Sequence, residues 1–257
     1  MMSLEIMLTS LGLFVGMVLF MEIGRRIGRF RISRQWDKPG ASFLALEGSV
    51  FGLMGLLMAF TFSAAASRFE TRRNLIVEET NDIGTAWRRL DLLPAARQSA
   101  LREDFRRYVD SRLLVYRDAG SSEEVTSRTK DLQDEIWDRS IKACAEVSSA
   151  STSTLVLSSL NAMFDIATTK TAVARTHLPW LIRNLLVVLP LICALLAGLD
   201  SAENPQRSWL RILGFALMVS VTVFVILDLD NPRIGLIRID MFDQVLIELR
   251  NSMQPGV

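Results

Sequence analysis

Apolar residues are gathered into four blocks, at about 4–21, 41–66, 180–199 and 209–227, separated by segments dense in charge. Each block has the roughly 20 residues that a helix needs to cross a bilayer. The pattern therefore predicts four transmembrane helices. The second block, ASFLALEGSVFGLMGLLMAFTFSAAA, runs directly into SRFETRRNLIVEETNDIGTAWRRLDLL, and no proline lies between Pro39 and Pro94. At ~1.5 Å rise per residue, 26 residues reach roughly 39 Å, more than the ~30 Å hydrocarbon core. The excess predicts a tilted span that continues as one helix into a charged region.

Past Ala66 the period changes from a continuous apolar run to a stripe. Phe69, Ile76, Ile83 and Leu90 recur every seven residues, with Thr80 and Trp87 interleaved. That is the spacing of a bundled helix. Leu93-Pro94 ends it, because the residue before a proline avoids helical geometry. A second helix is expected over about 95–119, with Leu101, Phe105, Tyr108, Arg112 and Val115 on one face and Gly120 as its stop. Ser121 or Ser122, followed by Glu123 and Glu124, supplies a cap and an acidic first turn for a third. That third helix extends to about Ser148 and turns Val125, Leu132, Ile136, Ala143 and Val147 inward; the small-residue stretch SSASTST then interrupts it. A fourth runs from about 154 to 176.

Pro179 and Arg183 introduce the third span, which contains Pro190 as an expected kink, and Trp209 anchors the fourth at the interface. Asp228-Leu-Asp230-Asn231 lacks the spaced ligands of a calcium loop and reads as a helix end and turn. Asn231-Pro232 then has the form of a cap and first helical residue. It would open an amphipathic tail helix carrying Ile234, Ile237, Met241, Leu246 and Leu249. No segment alternates with period two. The expected architecture is an all-α membrane protein: four transmembrane helices with a four-helix soluble bundle inserted between the second and third spans. Its parts are a first membrane pair (1–66), a helical lobe (67–178), a second membrane pair (179–227) and a tail (228–257).

The formal net charge is +1, and residues 67–182 hold 17 basic and 17 acidic side chains. That balance argues against a nucleic-acid surface. One histidine, His177, and two cysteines in unlike settings, Cys144 and Cys193, do not make a zinc site of the usual ligand type. There is no P-loop, GxGxxG, HExxH or GxSxG. No enzyme activity, cofactor or bound metal is expected. The first apolar block lacks the preceding positive residue and the cleavage site of a secretory signal. Arg25, Arg26, Arg29, Arg31, Arg34 and Lys38 follow it against a single Asp37. The positive-inside rule places that short loop in the cytoplasm, with the N-terminus and the helical lobe outside.

Three groups stand out as candidate sites. Glu47 lies about a third of the way into the second span; it either lines an ion path or lies shallow enough to reach water or a neighbouring helix. Gly12/Gly16 and Gly48/Gly52 form two GxxxG pairs suited to close helix packing. Asn161 and Asp165 lie four apart on one helical face and fit a polar network with arginines of the lobe.

The segments NDIGTAWRRLDLLP (81–94), FRRYVDSRLLVYR (105–117), SLNAMFDIAT (159–168) and DLDNPRIGLIRID (228–240) resemble the bacterial bestrophin-like domain family. The resemblance covers roughly residues 44–248, and the order of spans and helical region agrees with it. Bestrophins are pentameric, calcium-regulated anion channels with apolar pore constrictions. The resemblance therefore implies a homo-oligomeric ion channel in the bacterial inner membrane, passing small inorganic ions, with the second helix lining the pore. Glu47, Phe51, Met58 and Phe62 are the pore candidates on that helix. Two features depart from bestrophins: the acidic calcium clasp is reduced to Asp228 and Asp230, and the arginine-rich first loop places the lobe outside. The contrasting reading is a non-conducting membrane sensor or assembly partner that uses the lobe to bind protein.

Overall fold

The computed structural model describes residues 2–34, 41–117, 123–174, 176–203 and 209–253. Eight α-helices follow one another among these residues: α1 (Met2–Ser33), α2 (Ala41–Arg89), α3 (Ala95–Arg117), α4 (Glu123–Ala145), α5 (Ala150–Ala174), α6 (Trp180–Asp200), α7 (Trp209–Asp230) and α8 (Asp240–Ser252). No strand occurs among the described residues. Four helices, α1, α2, α6 and α7, are long and apolar enough to cross a membrane. The expected stop at Gly120, the caps Ser121 and Ser122, and Asp37, Lys38 and Pro39 of the first loop lie outside the described residues, as does the side chain of Met241.

The chain divides into two compact units, one of Met1–Phe69 with His177–Ile237 and one of Glu70–Thr176 with Arg238–Val257. Helix α2 is continuous for 49 residues and contributes to both.

In the first unit α1, the apolar half of α2, α6 and α7 enclose a cluster that includes Leu13, Met17, Met58, Leu186, Cys193 and Val223. The outward side chains of α1 are also large and apolar; Leu4, Leu8, Leu11 and Leu19 are all exposed. In water such a surface would be costly, and hydrocarbon is the solvent that matches it. Helix α1 differs from expectation at its end: it does not stop near Met21 but carries the arginines through Arg31 as helix. The glycines explain this, because they serve contact rather than chain reversal. A Cβ on Gly24 would lie 2.1 Å from the Leu195 carbonyl oxygen, one on Gly28 2.5 Å from Ala202 Cβ, and one on Gly198 2.1 Å from the Met21 carbonyl oxygen. The two backbones meet at these positions, and that packing sustains the helix past its apolar stretch.

In the second unit the charged half of α2, with α3, α4, α5 and α8, buries a separate cluster centred on Ile83, Leu90, Phe105, Tyr108, Ile136 and Leu160. A short 3₁₀ turn, Leu90–Leu92, ends α2, and Leu93 is extended at φ −87° and ψ 160°, as the following Pro94 requires. Helix α8 belongs to this cluster through Leu246 and Met253. Two polar contacts fix it: Arg250 Nε donates to Asp110 Oδ1 at 2.7 Å, and Arg106 Nε donates to the Met253 carbonyl at 2.6 Å.

The tail helix begins eight residues later than Asn231-Pro232 implied. Asp228, buried at the end of α7, accepts the backbone N–H of Leu236 at 2.9 Å and of Ile237 at 2.8 Å. Those bonds hold the segment in a turn that a helix starting at Pro232 would not allow. Gly235 passes so close that a Cβ would lie 2.2 Å from Asp228 Oδ1.

Candidate functional site

The membrane half of α2 has two unlike faces. Met54, Met58, Thr61 and Ala65, spaced four, three and four apart, are buried against the first unit. Phe51 packs on the same side, its ring 5.7 Å from that of Phe215. Glu47 lies seven residues before Met54, so helical periodicity sets it on this inward side, where it is half-buried. A neighbouring stripe, about a quarter turn round the helix, carries Gly48, Gly52, Gly55, Ala59 and Phe62, all exposed; beyond it Leu46, Leu53, Leu56 and Phe60 are exposed as well. A Cβ added at any of the three glycines would meet nothing within 4 Å. Phe62 is the largest side chain on the stripe and is 44% exposed. From Gly48 to Ser63 α2 carries no charged residue.

These placements divide the expected site residues. Of Glu47, Phe51, Met58 and Phe62, Phe62 lies on the uncovered face, whereas Phe51 and Met58 pack within the unit and Glu47 points to their side. Gly12 has open space around it, and Gly16 meets the Leu191 side chain at 3.0 Å. The tight seam is made by Gly24, Gly28 and Gly198 instead. A spacing of four between Gly24 and Gly28 was visible in the chain, but it fell among arginines read as a loop.

Where α2 leaves the apolar segment, Asp230 gathers partners from several parts of the first unit. Arg68 Nε donates to its Oδ1 at 3.0 Å, the Leu178 N–H donates to Oδ2 at 2.9 Å, and His177 Nδ1 lies 3.8 Å away. Asp228 and Asp230 are therefore both engaged by donors of the chain itself. The carboxylates serve as ties between the ends of α2, α6 and α7.

The second unit contains a buried ion cluster. Arg112 Nε donates to Glu79 Oε1 at 2.6 Å, and Lys170 Nζ donates to Oε2 at 3.1 Å. The Glu79 side chain is 0% exposed, Arg112 5% and Lys170 11%. Burial opposes the charge on Arg112, but the Glu79 carboxylate outweighs it and holds the guanidinium pKa above its ordinary value. One turn earlier Tyr108 is buried, and its phenol accepts a bond from Gln133 Nε2 at 3.4 Å. Burial is the main cause that pushes its pKa up to about 12. Asn161 and Asp165, by contrast, lie on the exposed face of α5. The buried polar network joins α2, α3 and α5 through Glu79, Arg112 and Lys170.

Four apolar helices about one core, joined through α2 to a charged helical unit, define an all-α membrane protein whose second helix presents an uncovered, uncharged face. The chain belongs to the Bestrophin-like domain family, whose model matches residues 15–241. Among solved structures it is similar to a bacterial bestrophin homologue from Klebsiella pneumoniae. One point-mutant form of that protein superposes with a TM-score of 0.74 at 16% identity, covering 96% of this chain and 99% of the other. A second mutant form gives 0.71 at 16%, covering 95% and 98%. A form solved by zinc phasing gives 0.67 at 17%, covering 95% and 99%. At such identity these matches establish the shared fold. Among curated proteins, none matches the chain.

Proposed function

We propose that the protein is a homo-oligomeric ion channel whose copies surround an axis lined by the uncovered face of α2. The observation that carries this reading is the stripe Gly48, Gly52, Gly55, Ala59 and Phe62, exposed in a single copy although it lies within a membrane span. Small residues keep the passage wide along three turns. Phe62, nearly two turns before the charges begin at Arg68, is its apolar constriction, of the kind that gates by dewetting. No carboxylate lies on that stripe, so it lacks the acidic ring that would select cations. Anions are the favoured permeant class, and Glu47 acts from the packed side of the helix rather than on the path. The arginines ending α1 assign that end to the cytoplasm and the second unit to the opposite side of a bacterial inner membrane.

The test is flux through purified protein in liposomes, chloride against potassium, for wild type, Phe62→Ala and Glu47→Gln. Chloride flux that Phe62→Ala raises, with ion preference unchanged in Glu47→Gln, is the expected result. Flux indifferent to Phe62→Ala would move the path off this face. No flux from folded, oligomeric protein across calcium, pH and voltage would leave the partner-binding role as the better reading.

A further inference from the structure

We propose that the last three turns of α1 form a collar that binds the phosphate headgroups of anionic lipids. The argument begins with length. Residues 4–30 are continuous helix, and 27 residues at ~1.5 Å each rise about 40 Å. The hydrocarbon core accounts for ~30 Å; the hydrocarbon core with both headgroup layers spans ~40–45 Å. Helix α1 therefore extends through headgroup depth before it ends.

Its surface changes there in the corresponding way. Leu19, Ile23, Ile27 and Phe30, spaced four, four and three apart, form one outward stripe, and each is about half exposed. A segment meant for water would not keep that stripe for three turns beyond the apolar block. Arginines interrupt and flank it: Arg26, Arg29 and Arg34 are exposed and Arg31 is half-exposed. Glu22, which pairs with Arg26 at 3.2 Å, is the acid on this stretch. Arg34 also lies over the Phe30 ring at 5.0 Å, so apolar and cationic groups share one surface. Across the unit, Trp209 and Leu210 are exposed beside Arg211 at the start of α7, the composition of an interfacial anchor.

The seam described above makes this collar rigid. Gly24 and Gly28 lock the same turns against Leu195, Leu199 and Ala202, so the guanidinium groups project from a fixed backbone. Arginine pairs with phosphate through two parallel N–H bonds and is weakly hydrated, which suits a ligand at the edge of hydrocarbon. Each basic residue at an anionic bilayer surface contributes ~1 kcal/mol, equivalent to about a fivefold change in affinity. The ligand class is a phospholipid with net negative charge, phosphatidylglycerol being the simplest.

The test uses the full chain as purified oligomer. Native mass spectrometry counts bound phosphatidylglycerol against phosphatidylcholine for wild type, for Arg29→Gln/Arg31→Gln/Arg34→Gln, and for the same three positions changed to Lys. A control, Arg88→Gln/Arg128→Gln, removes exposed charge from the second unit. Wild type and control should retain phosphatidylglycerol preferentially. The Gln triple should bind it at least tenfold more weakly while keeping its elution volume and helicity, and the Lys triple should fall between. Equal retention of the two lipids by wild type would overturn the proposal, as would a folded Gln triple that binds like wild type. If the Gln triple fails to fold, titrating wild-type protein in phosphatidylcholine nanodiscs with phosphatidylglycerol decides the matter: a saturable rise in melting temperature supports the collar, and no rise refutes it.

Discussion

Replacing Glu79 by glutamine tests the buried ion cluster and has a magnitude that follows from its geometry. The side chain keeps its shape, and the new amide oxygen still accepts the bond from Arg112 Nε, now 2.6 Å from the carboxylate. The amide nitrogen then faces Lys170 Nζ, 3.1 Å from the other carboxylate oxygen, so donor meets donor. Two cations remain in a site where Glu79 is fully buried and Arg112 nearly so. Removing one partner of a buried charge pair costs ~3–5 kcal/mol, because the charges left behind are uncompensated. At roughly 2–4 °C per kcal/mol for a chain of this size, the melting temperature should fall by about 6–20 °C. Trp87 and Trp137 pack against the apolar cluster of the same unit, so the shift of tryptophan emission during heating reports unfolding of this unit. A second variant separates charge imbalance from lost contacts. Glu79→Leu/Arg112→Met/Lys170→Met removes all three charges and should recover most of the loss, since well-packed apolar replacements of buried ion clusters are often neutral or stabilising. A melting temperature for Glu79→Gln within 2 °C of wild type would refute the reasoning. So would a triple variant that melts as low as the single one.

Two further outcomes follow from close packing and from burial. Gly198→Ala forces a Cβ to within 2.1 Å of the Met21 carbonyl and should destabilise the first unit by ~1–3 kcal/mol, whereas Gly12→Ala, with open space around it, should melt within experimental error of wild type in detergent. Tyr108, at about 12 in the fold against ~10 in an unfolded chain, makes stability fall with rising pH. Between those values the unfolded chain loses its proton first, so unfolding is favoured by ~1.4 kcal/mol per pH unit. Denaturant titrations from pH 9.5 to 11.5 should show this extra slope in wild type and not in Tyr108→Phe.

The helices were legible because apolar blocks and seven-residue stripes are one-dimensional signals. Ile76, Ile83 and Leu90 were read as inward and are fully buried, and Pro94 ended α2 as its chemistry requires. The ion cluster had a partial signal. Arg112 fell on the inward face of α3 with Phe105 and Tyr108, and Glu79 sits three residues after Ile76 and four before Ile83, on the same stripe. A charge at an inward heptad position asks for a partner, yet nothing along the chain says that the partner is Lys170, 91 residues away. Orientation within a wholly apolar span was less accessible. The second block is apolar all round, so periodicity alone does not separate Met58, which packs inward, from Phe62, which does not. The end of α1 was misread because glycines amid arginines look like a loop when the helix they pack against is about 170 residues further on.

The tie between Arg68 and Asp230 also imposes an order in time. The two residues are 162 apart in sequence, and a ribosome adds ~5–20 residues per second. Arg68 is therefore made roughly 8–30 s before the carboxylate that receives it. Leu178, 52 residues before Asp230, waits roughly 3–10 s. During that interval the ends of α2 and α6 lack their shared acceptor. Asp230, the last residue of the last span, arrives after both and fastens them together, so this corner of the membrane unit closes only when synthesis of the fourth span is complete.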